Sequence, residues 1–282
     1  MTTIGTFTSL DPKAEIFNQL KNQQPKWWTL FCEDKELYID IRKDNYINIY
    51  YYGGSIAKID YKNGFVAETH QKYLGDDKPR GNTKKGTDKF EYDSIDLTQL
   101  NETQLAAIKD CIWKEYLRQG NNENPAEKWI QGKMIKESSN YIDSEFQFNQ
   151  DDEIGKLRID LIELSDGVLS LIELKGIADS RLRNDKTRNL KTPEIIEQME
   201  KYRLFIHRYE AELKDYYQRL IGIKQDLGLT AIIDINFMLN KNPRLIIADT
   251  YRKMTPGREA RINDIRNLLE SKNIDYTIEK CK

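Results

Sequence analysis

The sequence of 282 residues predicts an α/β protein with a central mixed sheet flanked by helices, preceded by a β-rich N-terminal domain. Two observations predict this class. Between residues 27 and 73, short strand-like segments are separated by turn residues, which is typical of an antiparallel meander. From residue 125 onward, helix-like and strand-like segments alternate, which is typical of α/β domains. Since a polar, glycine-bearing segment at 76–89 lies between them, we place the first domain at 1–95 and the second at 96–282.

Composition and charge limit the class of protein further. Hydrophobic residues make up 39% and aromatic residues 10% of the chain, which argues against disorder. The 44 Lys and Arg residues nearly balance the 46 Asp and Glu residues, so a nucleic-acid partner is neither required nor excluded. No segment approaches the roughly 20 apolar residues of a membrane span, and the N-terminus lacks a signal-peptide pattern. Three scattered cysteines form no metal-binding or disulfide pattern, and we expect a cytoplasmic protein without membrane contact.

The N-terminal domain is predicted to be a series of hairpins. Its predicted strands are Glu36–Arg42, Tyr46–Tyr52, Ser55–Tyr61 and Phe65–Glu68. The intervening segments, at 43–45, 53–54 and 63–64, supply the positive φ angles that tight hairpins need. Tyr46, Tyr50 and Tyr52 share one face of their strand. Such a row either stacks on nucleic-acid bases or covers a sheet or interface, and we expect this domain to recognise a substrate or partner.

Two helices and a strand are predicted to open the second domain. The first helix covers residues 102–118, and its apolar stripe consists of Leu105, Ile108, Ile112 and Tyr116. The second helix begins at Asn124-Pro125 and continues to about Lys136, with Glu127 in its first turn. Asn124 and Glu127 also have the spacing of a capping box. The strand is Tyr141–Phe148.

A charged β-hairpin follows. Two apolar strands, Leu157–Leu164 and Val168–Leu174, are joined by a Ser-Asp-Gly turn. Asp160 interrupts the first strand, and Glu173 and Lys175 lie at the end of the second. Because side chains alternate along a strand, Glu173 and Lys175 point to the same face. If Asp160 lies across from them, two carboxylates and an ammonium group converge.

The rest of the chain supplies helices and strands on either side of this hairpin. A basic loop comes first, with five cationic residues: Arg181, Arg183, Lys186, Arg188 and Lys191. One long helix is predicted from residue 192 to near Gly228, with an apolar seam over 195–220 that fits either a homodimer or the core of one chain. The remaining predicted elements are strands Thr230–Leu239 and Arg244–Asp249, helix Gly257–Ser271 and strand Asp275–Glu279.

The order helix, antiparallel strands with Asp…Glu-x-Lys, helix and strand resembles the PD-(D/E)XK nuclease superfamily. Ile159-Asp160 and Glu173-Leu174-Lys175 match its core motif, with Ile in place of the motif's proline. Gln198 and Tyr202 match the Gln-x-x-x-Tyr element of the RecB-like branch and share one helix face. The resemblance covers about residue 125 to the C-terminus. Glu-x-Lys alone is not specific, because residues 33–35 and 212–214 also fit it.

The resemblance implies a restriction-endonuclease-like core and a metal-dependent nuclease that hydrolyses phosphodiester bonds, with DNA as the expected substrate and RNA not excluded. Asp160 and Glu173 would be ligands for Mg²⁺ or Mn²⁺, because hard cations prefer carboxylate oxygens. Glu127 is the candidate third ligand, and Lys175 would orient water or stabilise transition-state charge. Gln198 and Tyr202 would complete the catalytic site. The family also implies roles in restriction, phage defence or repair.

Structural interpretations of the same residues remain open. The Asp160, Glu173 and Lys175 group could be an ion pair on a sheet, although buried ion pairs are costly to keep. The basic loop could be an ordinary solvated loop or a phosphate-binding element. The competing functions are a non-catalytic nucleic-acid-binding protein with a nuclease fold, and an interaction protein that acts through its N-terminal domain.

Overall fold

The structure is a computed structural model that describes residues 5–74, 92–119, 126–183, 192–231 and 234–281. The chain divides into two compact units. The first contains the described residues of Met1–Gln119, Gly132–Ser139 and Tyr216–Ile235. The second contains those of Gly120–Gln131, Asn140–Asp215 and Asn236–Lys282. This division does not coincide with the predicted boundary near residue 95.

The first unit contains the predicted antiparallel meander. Its strands, hydrogen-bonded in sequence order, are β1 (Leu37–Arg42), β2 (Tyr46–Tyr51), β3 (Gly54–Tyr61), β4 (Phe65–His70) and β5 (Tyr92–Ile95). All the residues of the turns at 44–45, 52–53 and 63–64 have positive φ. The strand β5 was not predicted from the sequence.

Three helices precede this sheet: α1 (Gly5–Thr8), α2 (Glu15–Gln23) and α3 (Lys26–Glu33). The assignment of strand structure from residue 27 was wrong, since residues 26–33 form α3. Trp27 and Phe31 are four residues apart and therefore lie on the same helix face, where both are buried. Trp27 also packs edge-on against the ring of Phe65, with ring centroids 5.1 Å apart.

The helix α4 (Glu102–Gln119) belongs to the first unit. Asn101 and Gln104 form a reciprocal capping box at its start, with N–H to side-chain oxygen distances of 3.1 and 3.2 Å. The predicted stripe is buried at Leu105, Ile108 and Ile112. The side chain of Tyr116 lies outside the described part of the structure. Close packing on β3 requires glycine at position 54, where a Cβ would lie 2.5 Å from Ile112 Cγ2.

The second unit contains a mixed sheet. Its strands are β6 (Tyr141–Phe148), β7 (Leu157–Ser165), β8 (Val168–Gly176), β9 (Met238–Leu239), β10 (Arg244–Asp249) and β11 (Asp275–Lys280). The sheet order is β11-β10-β8-β7-β6, and β9 pairs with the start of β8. The pairs β6–β7 and β7–β8 are antiparallel, whereas β8–β10 and β10–β11 are parallel. The predicted α/β class with a mixed sheet is confirmed.

The predicted strand Thr230–Leu239 was wrong for most of its length. In the described residues of this range, only Met238 and Leu239 are in a strand. Their partners are Val168 and Leu169, at the start of β8. From Ile172 onward β8 pairs with β10 instead. The strand β9 can therefore pair only with the residues of β8 that precede Ile172, and its ladder is short.

The predicted long helix is two helices, α6 (Glu194–Arg208) and α7 (Glu210–Asp226). The break is at Tyr209, whose φ of −118° and ψ of 29° depart from helical geometry. The seam residues are nevertheless all buried: Ile195, Met199, Tyr202, Ile206, Tyr209, Leu213, Tyr216 and Leu220. Their burial within one chain supports the interpretation of the seam as core.

An apolar cluster in the second unit fixes α6 and the last helix, α8 (Pro256–Ser271), relative to β10. It includes Ile195 and Met199 of α6 together with Ile262 and Ile265 of α8. None of the helices in the described ranges is long and apolar enough to cross a bilayer. The three cysteines form no disulfide.

Asp151 anchors the loop before β7 to the end of α6. One carboxylate oxygen accepts from Arg208, at 2.7 Å, and from the Tyr209 hydroxyl, at 2.6 Å. The other oxygen accepts from the backbone N–H groups of Glu153 and Ile154. These hydrogen bonds, with Tyr209 and Arg208 contributing most, hold the pKa of Asp151 well below its usual value.

The helix α5 (Glu127–Glu137) contributes residues to both units. Within the first unit, a Cβ added at Gly132 would lie 2.6 Å from the Tyr52 backbone. We expect Gly132→Ala to destabilise the protein by about 1–3 kcal/mol, because the clash with backbone outweighs the gain of about 1 kcal/mol in helix propensity. Gly222→Ala in α7, where an added Cβ meets nothing within 4 Å, should stabilise instead. Urea denaturation measures both; equal effects would contradict this packing.

Asp151→Asn should lower the melting temperature by about 2–4 °C at neutral pH. Because the folded-state pKa of Asp151 is depressed, its contribution is present above the unfolded-state pKa near 3.9 and is lost as pH falls through the folded value. The difference in unfolding free energy between wild type and variant should therefore shrink below about pH 4. A difference that stays constant from neutral pH to about pH 2 would show that the Asp151 charge is not the cause.

Candidate active site

The hairpin of β7 and β8 forms as predicted. Its turn residues Asp166 and Gly167 have φ angles of 51° and 73°, the positive values that a tight two-residue turn requires. The ladder continues to the pair Leu161↔Ile172 and stops there. Beyond it, a carboxylate oxygen of Asp160 accepts from the Leu174 N–H at 2.9 Å. The Asp160 carboxylate thus takes the place of a backbone carbonyl as the partner of the Leu174 N–H. In this register Asp160 lies across from Glu173.

The ammonium group of Lys175 lies among oxygen atoms. It donates to Glu173 Oε1 and, at 2.7 Å, to the carbonyl oxygen of Leu174. Asp160 Oδ2 is 3.5 Å away and Glu127 Oε1 is 3.7 Å away. Glu173 and Lys175 are each only 1% exposed, so water does not compensate their charges. The structure therefore brings together four residues that the sequence predicted.

Glu127 reaches this cluster from the start of α5. Its other carboxylate oxygen lies 3.8 Å from the guanidinium of Arg181. The predicted N-cap, Asn124, and Pro125 lie outside the described residues. One turn further along α5, the Gln131 side chain donates to the backbone carbonyl of Asp160. Sequence reasoning missed Gln131, although its spacing of four from Glu127 places it on the same helix face.

Gln198 and Tyr202 of α6 are linked to Glu173 by hydrogen bonds. The Tyr202 hydroxyl is 2.7 Å from Glu173 Oε2 and also contacts the carbonyl oxygen of Arg158. Gln198 donates to the Tyr202 hydroxyl at 3.0 Å. The two residues form a chain of hydrogen bonds that orients the Glu173 carboxylate.

The cluster carries excess negative charge, since three carboxylates surround one ammonium group. Burial, and then the neighbouring Asp160, raise the pKa of Glu173 to about 7. Burial also raises the pKa of Glu127, against the opposing effect of Lys175. Burial acts to lower the pKa of Lys175, but the three carboxylates outweigh it and raise that pKa above its usual value. Lys175 therefore remains charged, and one further positive charge would be favourable here.

The donor set fits a divalent cation. Three carboxylates and a backbone carbonyl are the hard oxygen ligands that Mg²⁺ and Mn²⁺ prefer. In the described part of the chain, no three His, Cys, Asp or Glu side chains form a ready-made metal cage. At this site the Lys175 ammonium lies among the carboxylate oxygens. Metal binding would require this group to move aside.

Two of the five predicted basic residues can be located. Arg181 is bound to Asp179, with a closest distance of 2.6 Å, and approaches Glu127. Arg183 is exposed. Lys186, Arg188 and Lys191 lie outside the described residues. Asp179, which sequence reasoning also missed, caps the short 3₁₀ turn at 180–182 and fixes Arg181 beside the cluster.

Of the predicted row of tyrosines in the first unit, Tyr50 is buried, whereas Tyr46 and Tyr52 are half-buried. Tyr50 is buried, stacks on Tyr38 at 5.0 Å and accepts hydrogen bonds from Arg42 and Asn48. Of the two predicted alternatives, the burial of Tyr50 favours cover for a sheet at that position.

Comparison with protein-family models, with curated proteins and with solved structures finds no match for this chain.

Proposed function

We propose that this protein is a Mg²⁺- or Mn²⁺-dependent nuclease of the PD-(D/E)XK type, with a restriction-endonuclease-like core and DNA as its substrate. The observation that carries the proposal is the cluster at the end of a hairpin ladder, where Asp160, Glu173 and Lys175 are buried and the half-buried Glu127 joins them. A purely structural ion pair needs one carboxylate for one ammonium, whereas three carboxylates converge here. An excess of buried negative charge is costly unless a cation joins it.

Each residue has a defined task in this proposal. Asp160, Glu173 and Glu127 would hold the cation, which when bound would activate water and stabilise the charge on the leaving oxygen. Lys175, released from the carboxylates by that cation, would donate to the phosphate. Tyr202 fixes the position of Glu173, and Gln198 fixes Tyr202. Arg181 lies beside the cluster, where it would contact a substrate phosphate.

The cleavage assay is the direct test. Wild-type protein should hydrolyse DNA with Mg²⁺ or Mn²⁺ and not with EDTA. Asp160→Asn and Lys175→Ala should each reduce the rate by about 10²–10³. Lys214→Ala is the matched control, because Glu212-Leu213-Lys214 is also a Glu-x-Lys triplet but lies on α7, where Lys214 pairs with Glu210. It should cut at the wild-type rate.

The outcomes separate the alternatives. Equal cleavage by all four proteins would show that the assigned residues are not the site. Binding of DNA without cleavage under any metal condition would favour the non-catalytic nucleic-acid-binding protein. Parallel assays with RNA decide the substrate class, and a role in restriction, phage defence or repair depends on it.

Removal of the buried ammonium tests the cation site without measuring activity. Lys175→Met leaves three carboxylates without their counter-ion, so we expect a loss of about 3–5 kcal/mol of stability in EDTA. Mg²⁺ or Mn²⁺ should restore more stability to this variant than to wild type, because the competing ammonium is gone. Thermal denaturation with Lys214→Met as control measures this. Equal metal responses in wild type and Lys175→Met would argue against a cation site.

A further inference from the structure

A cavity of about 620 Å³ lies in the second unit. Its walls come from α8, from residues 182–183 at the end of the 3₁₀ turn, and from Pro193 just before α6. Its size is within the range of small-ligand sites. Its lining combines the cationic Arg183 and Arg261 and the acidic Asp264 with apolar side chains. None of these residues belongs to the carboxylate cluster.

Two hydrogen bonds fix the Arg261 guanidinium and leave its other N–H groups able to bind a ligand. Its Nε donates to the carbonyl of Ile177 at 2.9 Å, and one terminal nitrogen donates to the carbonyl of Asp179 at 3.2 Å. These bonds use two of its five N–H groups, and among the described residues no carboxylate pairs with it. Burial, together with the nearby charge of Arg183, lowers the pKa of Arg261. Two guanidinium groups thus line one cavity, and neither forms an ion pair with a carboxylate of the described residues.

The other walls of the cavity restrict the ligand further. Leu182 and Pro193 are buried and present apolar surface, as do Ile265 and Leu268. Asp264 is the one carboxylate among the lining residues in the described part of the chain. A bare inorganic anion would gain nothing from the apolar walls and would be repelled by Asp264. A ligand with a phosphate, an apolar ring and a hydroxyl or amino donor would use all three kinds of group.

We propose that this cavity binds a phosphorylated nucleoside, with its phosphate at Arg183 and Arg261, its base against the apolar wall and a hydroxyl or amino group at Asp264. Guanidinium groups suit phosphate because their donors match its oxygens in pairs. A carboxylate can accept from the hydroxyl groups of a ribose or the amino group of a base.

The cavity is connected to the proposed active site by consecutive residues. Leu182 and Arg183 line the cavity, and the preceding residue, Arg181, contacts Glu127 of the cluster. Asp179 joins the two places, since its carboxylate binds Arg181 and its carbonyl accepts from Arg261. A nucleotide of the substrate strand can therefore occupy the cavity while another part of the strand is at the cluster. This assignment to the strand rests on the proposed nuclease function, whereas binding of a free nucleotide does not.

Calorimetric titration of the full chain in EDTA tests the cavity without cleavage. The probes are adenosine 5′-monophosphate, adenosine, inorganic phosphate and a short single-stranded oligodeoxynucleotide. Adenosine 5′-monophosphate should bind more tightly than either adenosine or phosphate. Arg183→Gln should weaken its binding about tenfold, since Arg183 is exposed and its loss removes one charged contact. Arg266→Gln, an exposed site on α8 outside the cavity, should change it less than about twofold.

Two further variants identify the chemistry. Arg261→Gln should also weaken binding, and circular dichroism reports whether loss of its two carbonyl contacts disturbs the fold. Asp264→Asn should strengthen binding of inorganic phosphate by removing a repulsive charge. The same change should not strengthen binding of the nucleotide, because the nucleotide loses an acceptor.

The results distinguish the two sources of nucleotide and the two proposals. If adenosine 5′-monophosphate displaces the oligonucleotide, and Arg183→Gln weakens both, the occupant is part of the strand. If it binds without displacing the oligonucleotide, the occupant is a free nucleotide. Binding that depends on Arg183 in a protein that never cleaves would refute the nuclease and leave the cavity assignment intact. Equal loss from Arg183→Gln and Arg266→Gln, or phosphate binding as tight as nucleotide binding, would overturn the cavity assignment.

Discussion

A single buried ammonium group sets the geometry of the candidate site. Lys175 is almost fully buried at the end of an apolar strand, and its charge is compensated by Glu173, Asp160 and Glu127. Removing one partner from a buried charge costs several kcal/mol, so the elements that carry these carboxylates are held in position by it. The three acids come from β7, β8 and the start of α5. The same excess of carboxylates is the feature from which we propose a metal site.

Residues around the cluster fix its atoms without contacting Lys175. Gln131 holds the backbone of Asp160, and Tyr202 with Gln198 holds the Glu173 carboxylate. Asp151 ties the loop before β7 to the end of α6, the helix that carries Tyr202. Arg181 beside the cluster and Arg261 in the cavity are both hydrogen-bonded to Asp179, so Asp179 positions residues of both sites. A substitution of Asp179 should therefore affect both the cluster and the cavity, whereas Arg183 lines the cavity alone.

Local features of the chain were predictable from its sequence. The turn at 166–167 follows from Asp-Gly chemistry, and the meander follows from positive-φ residues between alternating segments. Asp160, Glu173 and Lys175 stood out because ionisable residues are rare in apolar strands. Features that depend on contacts distant in sequence were not predictable. Gln131 and Arg261 donate to backbone carbonyls that are distant in sequence. The spacing of Gln131 from Glu127 indicates a shared helix face but does not identify that carbonyl. The break at Tyr209 lies inside an unbroken apolar seam, and periodicity does not report it.

The central claim is that the carboxylate cluster is a cation site that Lys175 occupies in the absence of metal. Diffraction from crystals soaked in Mn²⁺, recorded at a wavelength where manganese scatters anomalously, tests it most directly. The account predicts an anomalous peak within about 2.5 Å of oxygens of Asp160 and Glu173, with the Lys175 ammonium moved away from Glu173. A well-occupied Mn²⁺ elsewhere in the molecule, with Lys175 still bound among the three carboxylates, would contradict it.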